Sequence, residues 1–204
     1  MKLLREYIRG LLAEAAKTVT DLGDMWVEIE TDGWIAVTLW RENEAGKNHY
    51  RVGEIQATKD EGNGPCAGAY EVVWAVSDRA PGFGPMLYDI VMELAGEDGL
   101  TSDRRSVSAE ASRVWEYYLN SRSDVITKQL DRDRGLRLTP EDESDDCHQG
   151  TFIRKTKMRL PHGEDPPPGY WDTFESHWST KAYIKTGGAS IIDELESAGK
   201  VVRK

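Results

Sequence analysis

A glycine-rich turn within residues 69–95 is the strongest candidate for a functional site in this sequence. The sequence there reads AYEVVWAVSD-RAPGFG-PMLYDIVMELA, and residues 79–84, the glycine turn, follow the pattern Gln or Arg, x, x, Gly, x, Gly or Ala. Glycines at the start of a helix let backbone N–H groups approach an anion closely, and the helix dipole favours negative charge there. The turn is therefore a candidate pyrophosphate cradle, and the alternative is a plain left-handed turn that closes a βα unit.

The sequence predicts a strand immediately before the glycine turn and a helix immediately after it. Residues 72–76 are apolar at every position, which predicts a strand buried on both faces. Pro85 stands at the first helical position, where proline's missing N–H costs nothing. A stripe of apolar side chains at helical spacing predicts that the helix packs on a core: Met86, Leu87, Ile90, Val91 and Leu94.

This order of strand, turn and helix resembles the GNAT (Gcn5-related N-acetyltransferase) family. In that family the amides of the turn hold the pyrophosphate of acetyl-CoA, and a second strand and helix follow. Here residues 99–104 would be that strand and residues 108–122 that helix. The stretch GLTSDRRSVSAEASRVWEYYL is similar to GNAT-like proteins encoded by tailed bacteriophages. The resemblance covers roughly residues 24–130.

The resemblance implies a co-substrate, acetyl-CoA or another acyl-CoA, and no metal. Six residues would bind the co-substrate: Val76, Arg79, Gly82, Phe83, Gly84 and Met86. The amides of the turn would hold the pyrophosphate, and the Arg79 guanidinium would add a charge-assisted contact. A backbone amide near Val76 would polarise the thioester carbonyl, because strands four and five of the family splay apart there to admit the pantetheine arm.

Candidate catalytic groups lie on the neighbouring strands. A general base could be Glu71 or Glu54, acting through water, although glutamates on strands are usually just solvated. Asp103 and Arg104 follow the next strand and could orient an acceptor amine. Their alternative is a mutual surface ion pair worth about 0–1 kcal/mol.

The helix after the second strand departs from the family. The family reads Asn-x-x-Ala with a tyrosine one turn later, and that tyrosine often protonates the CoA thiolate. Aligning Ala111 puts Ser108 at the asparagine and Trp115 at the tyrosine, and an indole N–H cannot act as a general acid. Tyr118 or Tyr117 could substitute. The departure leaves acyl-CoA binding expected and turnover open.

Composition limits the partners. The net charge of −10, with no cluster of Lys and Arg, argues against a nucleic-acid backbone. No apolar run reaches the length of a membrane span, and charged residues interrupt the first apolar residues before a signal peptide could form. Cys66 and Cys147 lack metal-ligand spacing, so we expect free thiols in a reducing compartment rather than a disulfide. A cytoplasmic protein, or one packed into a virion assembled there, is expected.

The predicted fold class is α/β (α+β), a GNAT-like mixed, mainly antiparallel sheet flanked by helices. Residues 2–17 predict an amphipathic helix, and Thr31-Asp32-Gly33 predicts a hairpin between strands 25–30 and 34–40. Further strands are expected near 50–57 and 125–131. The strand before the glycine turn and the strand from Leu100 should be parallel neighbours joined by the helix.

The sequence predicts a GNAT-like domain over residues 1–138 and an irregular extension over 139–204 that ends in a short helix. The extension carries an unusual density of aromatic side chains: Tyr170, Trp171, Phe174, Trp178 and Tyr183. These could make residues 166–204 a docking surface for a protein partner, or they could cover one face of the sheet.

Two functions from different classes follow. The first is an acyl-CoA-dependent N-acyltransferase of phage origin, which moves an acyl group to an amine that these residues do not identify. The second is a non-catalytic virion or interaction protein built on the same fold. Trp115 at the tyrosine position and the aromatic extension favour the second. The intact glycine turn favours the first.

Overall fold

The computed structural model describes residues 17–43, 48–59, 66, 68–77, 79–132, 138–148, 150–154, 177–188 and 190–204. The helix predicted before residue 17 and the aromatic residues Tyr170, Trp171 and Phe174 lie outside these ranges. The described chain is mixed α/β, with eight strands in one mixed sheet and two strands in a second. Of the described helices, none is long and apolar enough to cross a membrane.

The described residues form the strands β1 Met25–Glu30, β2 Ile35–Glu42, β3 His49–Thr58, β4 Tyr70–Val76, β5 Leu100–Thr101, β6 Ser106–Ser108, β7 Val125–Gln129, β8 Phe152–Arg154, β9 Lys181–Lys185 and β10 Val201–Arg203. The α-helices within the same ranges are α1 Gly84–Ala95, α2 Ala109–Ser121 and α3 Ile191–Ser197.

Two compact units divide the chain. The first contains the described residues within 1–56, 74–94 and 188–204, and the second contains those within 57–73 and 95–187. The units alternate along the chain, whereas the sequence predicted a single division at residue 138.

The first unit orders its strands β10-β1-β2-β3. β1 and β2 form the predicted hairpin, in which Trp26 pairs with Trp40, and Gly33 takes a left-handed φ of 74° at its turn. Every second side chain of β1 is buried, as expected of a strand with one covered face. β10 lies parallel to β1 at the edge of this sheet, with Val201 opposite Val27.

Two contacts join α1 to the rest of the first unit. A Cβ on Gly53 of β3 would lie 3.2 Å from Leu87 Cδ1, so glycine permits a close approach of α1 to the sheet. Near its other end, Glu93 caps the first turn of α3. Its carboxylate accepts hydrogen bonds from Ile191 N at 2.9 Å, Ile192 N at 3.1 Å and Ser190 Oγ at 3.0 Å.

The second unit contains residues 70–73 of β4 followed by β5, β9 and β7, in that order across the sheet, and residues 74–76 of β4 belong to the first unit. β4 and β5 run parallel, with Tyr70 opposite Leu100, so the predicted parallel neighbours are confirmed. β9 is antiparallel to both β5 and β7, and Tyr183 of β9 pairs with Leu100 and with Thr127.

The C-terminal part of the chain is not the irregular extension that its sequence predicted. β9 lies between β5 and β7, and β10 follows α3 and pairs with β1. Trp178 and Tyr183 are buried, so these two aromatic side chains belong to the core and are not docking anchors. The prediction failed because β9 is five residues long, too short to show a period, and it pairs with a strand more than fifty residues earlier.

A disulfide joins Cys66 to Cys147, with their Cα atoms 5.5 Å apart, so the expectation of free thiols is wrong. The bond lies in an apolar cluster with Leu130 and Ala182. Cys147 N donates to Leu130 O at 2.7 Å, which places Cys147 beside the end of β7. The two cysteines are 81 residues apart, and spacing rules detect only neighbours in sequence.

Candidate functional site

The glycine turn joins β4 to α1 within the first unit, and its backbone is fixed by hydrogen bonds. Gly82 has φ 87°, a left-handed conformation that glycine adopts without strain. Ala80 N donates to Ser77 O at 3.1 Å, and Phe83 N donates to Ala80 O at 3.2 Å. Gly82 O accepts from Lys17 N at 2.9 Å. The turn is thus preorganised, and the Phe83 amide already has an acceptor inside it.

The side chains of the turn divide into anchors and exposed groups. Phe83 and Met86 are buried, so their side chains hold the turn against the core, and the Phe83 N–H and carbonyl are already bonded to Ala80 O and Leu87 N. Arg79 is exposed and Val76 is half-buried. α1 begins at Gly84, one residue before the predicted first position, and a Cβ there would lie 3.4 Å from Ser77 Oγ.

The second half of β4 is exposed. β5 is two residues long, and its ladder with β4 consists of Tyr70–Leu100 and Glu71–Thr101. Beyond that point Trp74 is 39% exposed and Ala75 is exposed, so the predicted burial of β4 on both faces is wrong for this half. An apolar run does not show where its neighbouring strand ends, which is why the sequence could not reveal this.

Glu71 and Arg104 form a buried charged cluster in the second unit. Their residues are 2% and 0% exposed, and Arg104 N donates to Glu71 Oε1 at 2.8 Å. The Arg104 guanidinium donates through Nη1 to Ser179 O. Burial lowers the pKa of Arg104 to about 10, against the carboxylates of Glu71 and Asp103, which raise it. Arg104 therefore stays charged at neutral pH.

Asp103 shapes the turn between β5 and β6. Its Oδ1 accepts from Arg105 N at 2.7 Å and from Ser106 N at 3.0 Å. Its backbone carbonyl accepts from Thr151 Oγ1 at 2.7 Å. The alternative of a surface ion pair with Arg104 is wrong, because Arg104 is buried.

Tyr118 lies in an aromatic core on α2. Trp115 and Tyr118 are each 1% exposed, and the Trp115 and Tyr183 ring centroids are 5.0 Å apart. Tyr183 donates its hydroxyl to Trp178 O at 2.8 Å, and burial raises the pKa of Tyr183. Tyr117, beside Tyr118 on the same helix, is only half-buried.

Ser108 caps the N-terminus of α2. Its Oγ accepts from Ala111 N at 3.1 Å. A short side-chain oxygen at this position satisfies one of the free N–H groups of the first turn, which explains why the helix begins where the sequence predicted.

The predicted site residues fall into two sets. The six co-substrate residues all belong to the first unit, whereas Glu71, Asp103 and Tyr118 belong to the second. Glu54 also belongs to the first unit. It is buried, and its carboxylate accepts from the Arg51 guanidinium and from Gln56 Nε2 at 2.8 Å. Both candidate bases are thus buried and bonded, so the alternative of solvated surface glutamates is wrong.

An acidic cluster that the sequence analysis missed follows β7. Asp131, Asp145 and Asp146 hold carboxylate oxygens within 4.8 Å of one another. Burial raises the pKa of Asp131, the hydrogen bonds from Thr139 lower it, and the two neighbouring carboxylates raise it again. The acid-rich run over residues 141–146 was the available signal. Carboxylates gathered in this way do not by themselves indicate a metal.

No protein-family model, no curated protein and no solved structure matches this chain. The resemblance to the GNAT family stays a prediction.

Proposed function

We propose that this protein binds an acyl-CoA along β4 and the glycine turn and transfers the acyl group to an amine. The observation that carries the proposal is the exposed half of β4, which leads directly into a preorganised glycine turn at the start of α1. An exposed strand offers backbone groups to an extended arm such as pantetheine, and the helix start offers N–H groups to a phosphate.

Local charge supports a phosphate at the turn. Arg79 is exposed within the turn, and Lys17 is tied to Gly82 through its backbone. The Lys17 ammonium lies 3.9 Å from Asp21 at the surface, a distance at which the pair is weak. An exposed cation within the turn, in a protein of net charge −10, favours an anionic ligand at this place.

Glu54 is the stronger of the two candidate bases. It shares the first unit with the co-substrate residues, whereas the Glu71 carboxylate accepts the Arg104 N–H within the second. The lost tyrosine need not stop turnover, because a thiolate leaves a tetrahedral intermediate far more readily than an alkoxide does and can take its proton from water afterwards. Slow transfer without a general acid is the expected behaviour.

Titration calorimetry with acetyl-CoA tests the proposal. Gly84→Asp puts a side chain and a negative charge where the pyrophosphate would lie. We expect its Kd to rise at least tenfold, or about 1.4 kcal/mol. Gly187→Asp is the matched control, because a Cβ there would meet its nearest neighbour, Asp124 Cβ, at 4.0 Å and the charge change is the same. Wild-type protein that gives no heat and no thermal shift with acetyl-CoA would refute the co-substrate.

The second candidate is a non-catalytic component of a tailed-phage particle. The burial of Trp115 and Tyr118 favours it, since neither side chain can serve as an accessible acid. Acetyl-CoA hydrolysis and transfer to a panel of amines separate the two. Tight binding with no turnover, together with co-sedimentation with phage particles, would support the second candidate.

A further inference from the structure

The backbone pairing of β4 with β5 ends at Glu71. Beyond that pair, the Glu71 carboxylate accepts a backbone hydrogen bond from the chain that follows β5. Thr101 is the last residue of β5 and lies opposite Glu71. Three residues later, the backbone N–H of Arg104 donates to Glu71 Oε1 rather than to a carbonyl of β4. A buried N–H needs an acceptor, so a carboxylate here substitutes for the next rung of the ladder.

A second set of hydrogen bonds holds residues 103 and 104, which follow β5. The Arg104 guanidinium donates to Ser179 O, and Thr151 N donates to Ser179 Oγ at 3.2 Å. Thr151 Oγ1 in turn donates to Asp103 O at 2.7 Å. Arg104, Thr151 and Ser179 are each 0% exposed. The chain after β5 is therefore tied to Thr151 and Ser179.

Two buried charges of opposite sign are an inefficient way to gain stability. Their desolvation cost is large, and apolar side chains of similar volume are often as stable or more so. The hydrogen bonds of Glu71 and Arg104 do, however, fix the position of the backbone at residue 104 and of the guanidinium. An apolar pair would leave the N–H of residue 104 to seek a backbone acceptor, and an extended ladder with β4 would supply one.

We infer that Glu71 and Arg104 are positioning residues that set the end of the β4–β5 ladder and keep the outer half of β4 available to the acyl-CoA arm. The second part of this inference rests on the proposed function. It assigns Glu71 a role different from general base: its carboxylate acts through the backbone of residue 104 and touches no reacting atom.

Two double variants that differ in one group test the inference. Glu71→Gln/Arg104→Met removes both charges but keeps a side-chain carbonyl oxygen for the N–H of residue 104. Glu71→Leu/Arg104→Met removes the oxygen as well. Because neither leaves a buried charge alone, both are expected to fold, which circular dichroism checks. The readouts are hydrogen exchange at the amides of residues 73–76 and the Kd for acetyl-CoA.

We expect the leucine variant to slow exchange in β4 at least tenfold and to raise Kd at least tenfold, while the glutamine variant stays within about threefold of wild type in both. Equal exchange in the two variants would overturn the inference, and so would slowed exchange without a change in Kd. If the wild-type protein binds no acetyl-CoA, the proposed function and the acyl-CoA role are overturned. If the two double variants still differ in hydrogen exchange in that case, the inference that the pair sets the end of the β4–β5 ladder stands. Failure of either double variant to fold would overturn the inference, because the pair would then be needed for stability itself.

Discussion

The glycine turn and the Glu71–Arg104 cluster are built from opposite kinds of contact. The turn is closed by two backbone bonds between residues three apart and by a third from Lys17 N to Gly82 O, and it leaves Arg79 exposed. The cluster joins residues 33 and 75 positions apart, and its members are buried. The turn is therefore open and mostly local in sequence, whereas the cluster is closed and joins distant parts of the chain. The two regions should therefore respond differently to the same kind of substitution.

The largest expected difference is in stability. Glu71→Ala leaves the Arg104 charge buried without its main counter-ion, so we expect a loss of about 3–5 kcal/mol in the free energy of unfolding. Arg79→Ala in the glycine turn should cost less than about 0.5 kcal/mol, because its side chain is exposed. Urea unfolding of both variants measures the contrast. Equal losses in the free energy of unfolding would contradict the difference that we infer between the two regions.

The disulfide gives the next largest effect. It closes a loop between residues 81 apart in the second unit. Cys147→Ala should lower the free energy of unfolding by about 2–4 kcal/mol, because the unfolded chain regains the freedom of that loop. Cys66→Ala/Cys147→Ala should lose no more than the single variant, since both remove the same bond. A wild-type urea midpoint that does not move on adding a dithiol reductant would contradict this.

The smallest effect concerns the acidic cluster. The pKa of Asp131 is raised, chiefly by burial, so its charged form is disfavoured in the folded protein. That carboxyl contributes stability below its ordinary pKa, and the contribution is lost as pH rises through the raised value. Asp131→Asn, which keeps an acceptor for Thr139, should thus be more stable than wild type at pH 7, and the gap should close toward pH 4. A gap that widens in acid would show that the pKa is lowered instead.

The elements that the sequence predicted correctly are determined by residues close together in the chain. The Asp32-Gly33 hairpin, the helix from the glycine turn and the helix capped by Ser108 all depend on residues within a few positions. The parallel pairing of β4 with β5 followed from the helix between them. The assignment of acyl-CoA residues to the turn stays a prediction.

The features missed by the sequence depend on partners far along the chain. Nothing in the five residues of β9 indicates that they lie between β5 and β7. Cys66 and Cys147 belong to one apolar cluster with Leu130, which follows β7, and Ala182 of β9, and these residues are far apart in the sequence. Glu71 reads as a solvated glutamate until Arg104 is placed beside it, because burial of a charge is decided by its neighbours in space.

The Glu93 cap has a kinetic consequence. The carboxylate on α1 and the first amides of α3 are 98 and 99 residues apart, so the cap can form only after a long loop has closed. β10 follows α3 and pairs with β1, which adds a contact across most of the chain. Contacts of this range slow folding, since their entropy must be lost before they stabilise anything. We therefore expect α3 and β10 to join the first unit in the slowest refolding phase, after the β1–β2 hairpin has formed.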